Sequence, residues 1–162
     1  MHIRLIAPLD NTAVENLIRT CLIEFGADIP GCAWEDKNLG RFYEVYQPLN
    51  ASYWVAEDNG KIVAGCGIGP VAKMPAVCEL QKMYTKPTVR GTGLAAQMLK
   101  IALSFAQEHY SQCYLETFSN MIAANHFYLK HGFVRLPQPL IASAHYACDM
   151  WYLKSLKEGN DA

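Results

Sequence analysis

Arg90-Gly91-Thr92-Gly93-Leu94-Ala95 is the stretch of the chain best suited to hold a charged ligand. Two glycines alternate with small residues where an apolar pattern of helical spacing begins, and an arginine leads them in. Glycine lets the backbone approach a ligand closely. The unpaired N–H groups of a helix's first turn then point at that ligand with the positive end of the dipole. This is an anion site, most often one for phosphate or pyrophosphate.

Gly91-x-Gly93-x-x-Ala96 also satisfies the dinucleotide fingerprint G-x-G-x-x-G/A, and Glu116 falls roughly where an acidic ribose ligand would stand. Against that reading, the glycines arrive past mid-chain, and Lys86 to Arg90 separate them from the preceding strand, which Pro87 cuts. A phosphate P-loop is excluded, because no G-x-x-x-x-G-K-[ST] occurs. Among other reactive types, His126, His131 and His145 lack metal-ligand spacing, so no metal is expected. Cys78 and Cys113 lie on strands without a paired histidine, which argues against an acyl-cysteine. Trp34, Tyr43 and Trp54 suit either an acceptor pocket or the core.

The elements that must position the loop follow from periodicity. Ile3 and Leu5 mark a first strand, ending before Pro8. Asp10 or Asn11 is placed to cap a helix carrying Val14, Leu17, Ile18, Cys21, Leu22 and Phe25, stopped by Gly26. A weaker helix is expected around Leu39, Phe42, Tyr43 and Tyr46. The segment from Glu24 to Glu44 carries Glu24, Asp28, Glu35, Asp36 and Glu44 against Lys37 and Arg41, and reads as a solvated helical hairpin or a substrate-steering lid. Asn59-Gly60 predicts a tight hairpin between Tyr53–Glu57 and Ile62–Ile68, followed by a loop over 70–75. Val77 to Thr85 is a strand whose alternation breaks between Leu80 and Met83; a β-bulge near Gln81-Lys82 would restore it and free backbone groups from the ladder. After the glycine loop, Leu94, Met98, Ile101 and Phe105 define a long amphipathic helix. Cys113–Phe118 is a strand, Ser119 or Asn120 caps a helix through Lys130, and Phe133–Leu136 and Tyr146–Leu153 are the last strands. A single domain over 1–157 is expected, with a frayed polar tail at 158–162.

The 162 residues, 51% hydrophobic and 18% charged, describe an ordinary globular composition. Lys plus Arg is 14 against 15 acidic residues, which gives no basic field for nucleic acid. The six cysteines have no C-x-x-C pair and read as buried free thiols. The N-terminus is too short and interrupted for a signal peptide, and Gly65, Gly67, Gly69 and Pro70 break the longest apolar run, so no membrane span and a cytoplasmic location are expected.

Arg90-Gly91-Thr92-Gly93-Leu94-Ala95 fits [QR]-x-x-G-x-[GA], the acyl-CoA signature of the GNAT acetyltransferase superfamily, and the resemblance extends along the chain. Leu80-Gln81-Lys82-Met83-Tyr84-Thr85-Lys86-Pro87 resembles that family's central bulged strand, and Ala124-x-x-x-Tyr128-Leu129-Lys130-His131-Gly132-Phe133 its A-x-x-x-Y-x-x-x-G-F helix–turn–strand. The resemblance covers roughly residues 3–153 and implies an α+β fold. Its mixed, mostly antiparallel sheet would have six to seven strands, flanking helices and a splayed central strand. It implies an enzyme using acetyl-CoA, with pyrophosphate on the amides of Gly91, Thr92, Gly93, Leu94 and Ala95 beside Arg90. Met83, Tyr84 and Thr85 would pair with the pantetheine arm as a strand does, a free N–H near Met83 serving the thioester oxygen. Tyr128 resembles the family's general acid. Glu79, where many members place a carboxylate, is the candidate base for an amine that is mostly protonated at neutral pH. The family often carries Asn seven residues before this Tyr; here Met121 stands there, so the resemblance does not reach that contact.

The implied reaction is direct attack of a small-molecule amine on the acetyl group. A non-catalytic acyl-CoA-binding module and a dinucleotide-binding protein are the alternatives. The acceptor is left open, as is the oligomeric state, with a homodimer among the options.

Overall fold

Asn59-Gly60 turns the chain as its composition requires. Both residues adopt positive φ (49° and 75°), the geometry of a type I′ hairpin, and join β2 (Ser52–Asp58) to β3 (Lys61–Val71). In this computed structural model, which describes residues 1–157, seven strands form one sheet in the order β1-β2-β3-β4-β5-β7-β6. The others are β1 (His2–Leu5), β4 (Met74–Thr85), β5 (Gln112–Thr117), β6 (Val134–Leu136) and β7 (Met150–Ser155). All pairings are antiparallel except β4 with β5. The helices are α1 (Asn11–Glu24), the single-turn α2 (Phe42–Val45), α3 (Leu94–His109) and α4 (Ile122–Lys130).

Alternation along β2 divides the core. Tyr53 and Val55 pack with Val14, Ile18 and Leu22 of α1, whereas Trp54 and Ala56 face Met98, Leu99 and Ala102 of α3. Ile101, expected on the apolar face of α3, is instead 37% exposed. Five of the six cysteines are buried free thiols, and Cys148 is half-buried.

Two features of β4 shape everything that follows. Its pairing with β5 stops after Val77↔Gln112, Cys78↔Cys113 and Glu79↔Tyr114, so the two strands splay, and from Leu80 to Thr85 only one edge of β4 is occupied. The ladder with β3 slips between Gly65↔Tyr84 and Gly67↔Gln81, leaving Lys82 and Met83 opposite Cys66 alone. Lys82 carries the φ of +49° that such a bulge demands. The Tyr53 hydroxyl donates to the Lys82 carbonyl at 2.9 Å and so ties the bulge down. There is room for that ring because Gly65 and Gly67 face it: a Cβ on either would lie 2.5–2.6 Å from Tyr53 atoms.

Several local expectations need correction. Residues 70–75 are not a loop; β3 reaches Val71 and β4 begins at Met74, with Lys73 (φ 63°) in the turn. A register shift at Pro70/Val71 accommodates the missing proline donor. Asp10 does not cap α1 with its side chain: its carboxylate accepts from the Ala7 N–H and binds Arg4 at 2.6 Å. Neither Ser119 nor Asn120 caps α4, because Ser119 is bonded to Asp149 and Asn120 to the Phe25 carbonyl. The last strand starts at Met150 rather than Tyr146, the residues before it forming a loop over the end of the sheet.

Candidate functional site

The glycine loop lies in the segment between β4 and α3. Gly91 and Gly93 have φ of +76° and +85°, and a Cβ on either would meet no protein atom within 4 Å. Left-handed backbone, not crowding within the protein, is what demands glycine here. The first bond of α3 runs from Gln97 N–H to the Gly93 carbonyl (3.2 Å), so the amides of Leu94, Ala95 and Ala96 have no helical partner. Thr92 closes the loop through a 2.6 Å bond to the Val89 carbonyl.

Arg90 has a local task. Its guanidinium binds Glu24 at 2.6 and 2.8 Å, donates to the Thr85 carbonyl at 3.0 and 3.2 Å, and lies over Phe25. The arginine thereby fastens the loop to the C-terminal end of α1. The Glu24 carboxyl is held below the usual carboxylate range by that bond.

A cleft of about 600 Å³ opens from this loop along the unpaired edge of β4 into the splay. Met83, Tyr84, Thr85, Arg90, Gly91, Gly93 and Ala95 line it on one side; Leu115, Met121, Phe127 and Tyr128 line the other. Tyr128 packs edge-on against Phe127 and Phe133 and near Tyr152. Among the described residues its hydroxyl bonds to no protein group, and burial pushes its pKa well above that of a free phenol. Asn125 is fully engaged elsewhere, donating to the Phe118 and Met121 carbonyls and accepting from Tyr152.

Across the splay, on the α1 face, sits a smaller pocket of about 60 Å³. Leu80, Lys82, Tyr84, Glu116, Thr117 and Met121 line both cavities, so the two meet at a shared wall. Glu79 opens into the small pocket. Gln81 donates to its Oε2 at 3.0 Å, and burial raises its pKa against the pull of Gln81 and Lys82. Glu116, two residues beyond the Tyr114 that pairs with Glu79, is a second carboxyl of the same kind. Burial and the charge of Glu79 raise its pKa, while bonds from Ser143 (3.0 Å) and Tyr114 (3.2 Å) oppose the rise.

Sequence reasoning missed three residues at this pocket. Glu116 was read only as a ribose ligand, and its pairing with Glu79 depends on strand order. Lys82 is nearly buried and bound to Asp36 at 2.9 Å. His145 lies 3.5 Å from the Lys82 ammonium, and burial with that charge depresses its pKa to about 4. Nothing in the chain's spacing joins His145 to Lys82; the loop before β7 brings it there. Of the acidic segment, Asp36 pairs with Lys82 of the pocket wall, whereas Glu24, Glu35 and Glu44 are bonded to Arg90, Gly31 and Asn11. Trp54 packs edge-on against Phe105 and Trp34 lies under Arg19, so both serve packing. Among the described residues no cluster of His, Cys, Asp or Glu is placed to hold a metal ion, and no helix is long and apolar enough to cross a membrane.

A family-wide sequence profile described as an acetyltransferase (GNAT) domain matches residues 50–135. The uncharacterized N-acetyltransferase YjgM of Escherichia coli is 36% identical over 150 residues, covering 91% of this chain and 90% of that protein. The chain belongs to the GNAT acetyltransferase family. GNAT acetyltransferases use acetyl-CoA, and the protein is an enzyme of that kind. An uncharacterized N-acetyltransferase of Schizosaccharomyces pombe is 27% identical, over 78% of this chain and 77% of its own. In fold, the chain matches a GNAT acetyltransferase from Staphylococcus aureus with a TM-score of 0.85 at 20% identity, over 96% and 99% of the two chains. The Salmonella typhimurium protein yncA, solved with its cofactor acetyl-CoA, matches at 0.74 and 20% identity, over 98% and 95%. The dinucleotide alternative ends here: the glycine loop of this GNAT enzyme follows an antiparallel hairpin, and Glu116 points to Ser143 and Tyr114.

Proposed function

We propose that this enzyme moves the acetyl group of acetyl-CoA to the amine of a small molecule, with Glu79 taking a proton from the amine and Tyr128 giving one to the departing sulfur. One observation carries the reading: a phenol and a carboxyl, each with an unengaged oxygen, line two cavities that share a wall where β4 and β5 part. The larger cleft suits the donor. The amides around Gly91, Thr92, Gly93, Leu94 and Ala95 would take the pyrophosphate, and the free edge of β4 at Met83, Tyr84 and Thr85 would pair with the amide-rich arm. Arg90 supports this by holding the loop in place through Glu24 and Thr85. Bound acetyl-CoA supplies an acetyl group on a thioester.

The small pocket suits the acceptor. Glu79 and Glu116 together favour a cationic group entering it, and the volume of about 60 Å³ favours a compact one. At Glu79, burial raises the pKa, which makes the carboxylate a better proton acceptor than a surface glutamate. Tyr128 keeps its proton for transfer because burial disfavours the phenolate. The test is thiol release from acetyl-CoA across a panel of small amines, with product mass fixing the acetylated atom. Amine-dependent release that falls in Tyr128→Phe and Glu79→Gln supports the reading. Tight coenzyme A binding with no turnover on any amine would identify a binding module instead.

A further inference from the structure

Tyr46 closes α2 and lies 35 residues before Gln81 in the chain, yet its hydroxyl reaches the Gln81 Oε1 at 2.7 Å. An amide whose oxygen accepts that bond must turn its NH2 the other way, and Nε2 indeed donates to Glu79 Oε2 at 3.0 Å. Glu116 has both carboxyl oxygens engaged, by Ser143 and Tyr114. Glu79 has only Oε2 engaged, so among the described residues its Oε1 is the carboxyl oxygen of this pair left open to a ligand. The arrangement is built into β3 as well. Gly69 lies opposite Glu79, and a Cβ there would stand 2.6 Å from the Gln81 Oε1. Tyr46 is buried, edge-on to Phe42 and tilted against Tyr53, and a Cβ on Gly67 would stand 2.9 Å from its ring.

We infer that Tyr46 and Gln81 are positioning residues for Glu79: the Tyr46 hydroxyl selects the orientation of the Gln81 amide, and the amide holds Glu79 with Oε1 presented to the substrate amine. This rests on the reading of Glu79 as proton acceptor. The proton passes from the ammonium nitrogen to Oε1, leaving a neutral amine and a neutral carboxyl, and no other group changes charge. The charged and titratable groups that act on Glu79 or feel its charge are Lys82 on β4, Cys113, Tyr114 and Glu116 on β5, Tyr46 from α2, and Cys148 beside His145 in the loop before β7. Gln81 and Lys82 are the ones that favour the ionised form of Glu79.

The experiment is a carbon-13 NMR titration of the glutamate side-chain carboxyls in the whole protein, with the Glu79 resonance assigned by its loss in Glu79→Gln. The pH dependence of kcat is followed in parallel with an amine found by the thiol-release panel. In Gln81→Ala the Glu79 titration and the acid limb of kcat are expected to move together to higher pH, with kcat at neutral pH about tenfold lower and KM for acetyl-CoA unchanged. Gly69→Ala, which crowds the amide without deleting a polar group, should move them in the same direction, and Tyr46→Phe should do so by less. Gln81→Ala and Tyr46→Phe proteins that melt as the wild type does but leave both titrations in place would overturn the positioning role. If Glu79→Gln itself leaves the acid limb unchanged, the base assignment fails, and the NMR titration still reports separately whether Gln81 holds the carboxyl.

Discussion

Tyr128 and Glu79 occupy opposite sides of one junction, and each makes a distinct prediction. Tyr128→Phe removes a hydroxyl that has no protein partner, so stability should stay within about 0.5 kcal/mol in a thermal melt. Its kcat should drop about 10²-fold, the lower end for a general acid because a thiolate is already a fair leaving group. For Glu79 the sign of the pH effect is fixed by burial: its pKa is raised, so the carboxylate is lost as pH falls through a value above the ordinary glutamate range. The acid limb of kcat should therefore lie above about pH 4.3 and flatten in Glu79→Gln. At this scale the chain was legible in part. The glycine loop and the common face of Glu79 and Gln81 could be read from spacing. Glu116, Lys82 and His145 could not, because strand order and a loop over the sheet end bring them together, and neither leaves a local pattern.

The bulge is the element that converts a strand into a site, and it was visible in sequence as broken alternation between Leu80 and Met83. What supports it was not. Gly65, Gly67 and Gly69 looked like interruptions of an apolar run, whereas they form a flat stripe on β3 that admits Tyr53, Tyr46 and Gln81. Gly67→Ala should cost about 1–3 kcal/mol in urea unfolding, since the rings it would meet are buried and have nowhere to go. Tyr53→Phe should cost about 1–3 kcal/mol, leaving the Lys82 carbonyl without its donor, and should lower activity by loosening the bulge. The hairpin at 72–73 was missed because Pro70 and Pro75 read as loop residues, yet a register shift lets both remain in strands.

Across the whole molecule, ligand binding and pH should both register as stability. Coenzyme A at a hundred times its Kd is expected to stabilise by about 2.7 kcal/mol, a rise of about 5–10 °C in Tm, with NAD giving no comparable shift. The ion pair of Arg4 with Asp10 and Glu57 ties β1 and β2 to the start of α1. Arg4's hydrogen bond holds the Asp10 carboxyl below its usual range. That stabilisation is present above the ordinary aspartate pKa of about 3.9 and lost as pH falls through the lower folded value. Asp10→Asn should therefore narrow the gap to wild type on acidification, measured by urea midpoint against pH. The order of elements and the Asn59-Gly60 hairpin were readable from periodicity and turn chemistry, whereas the mixed sheet and its splayed central strand came from the family resemblance, because strand order and the point where pairing stops leave no local pattern.

The wall between the two cavities also separates two kinds of scaffold. One side is built from β4, the glycine loop and α3, and on the proposed assignment it takes acetyl-CoA, the same cosubstrate in every turnover. Much of the far rim comes from Ala33, which opens a short 3-10 turn, and from His145 and Cys148 in the loop before β7, none of them on a strand of the sheet. With the donor and acceptor placed as proposed, a library randomised at those three positions should yield new amine preferences while KM for acetyl-CoA stays put, the behaviour of a chassis with one fixed and one exchangeable port.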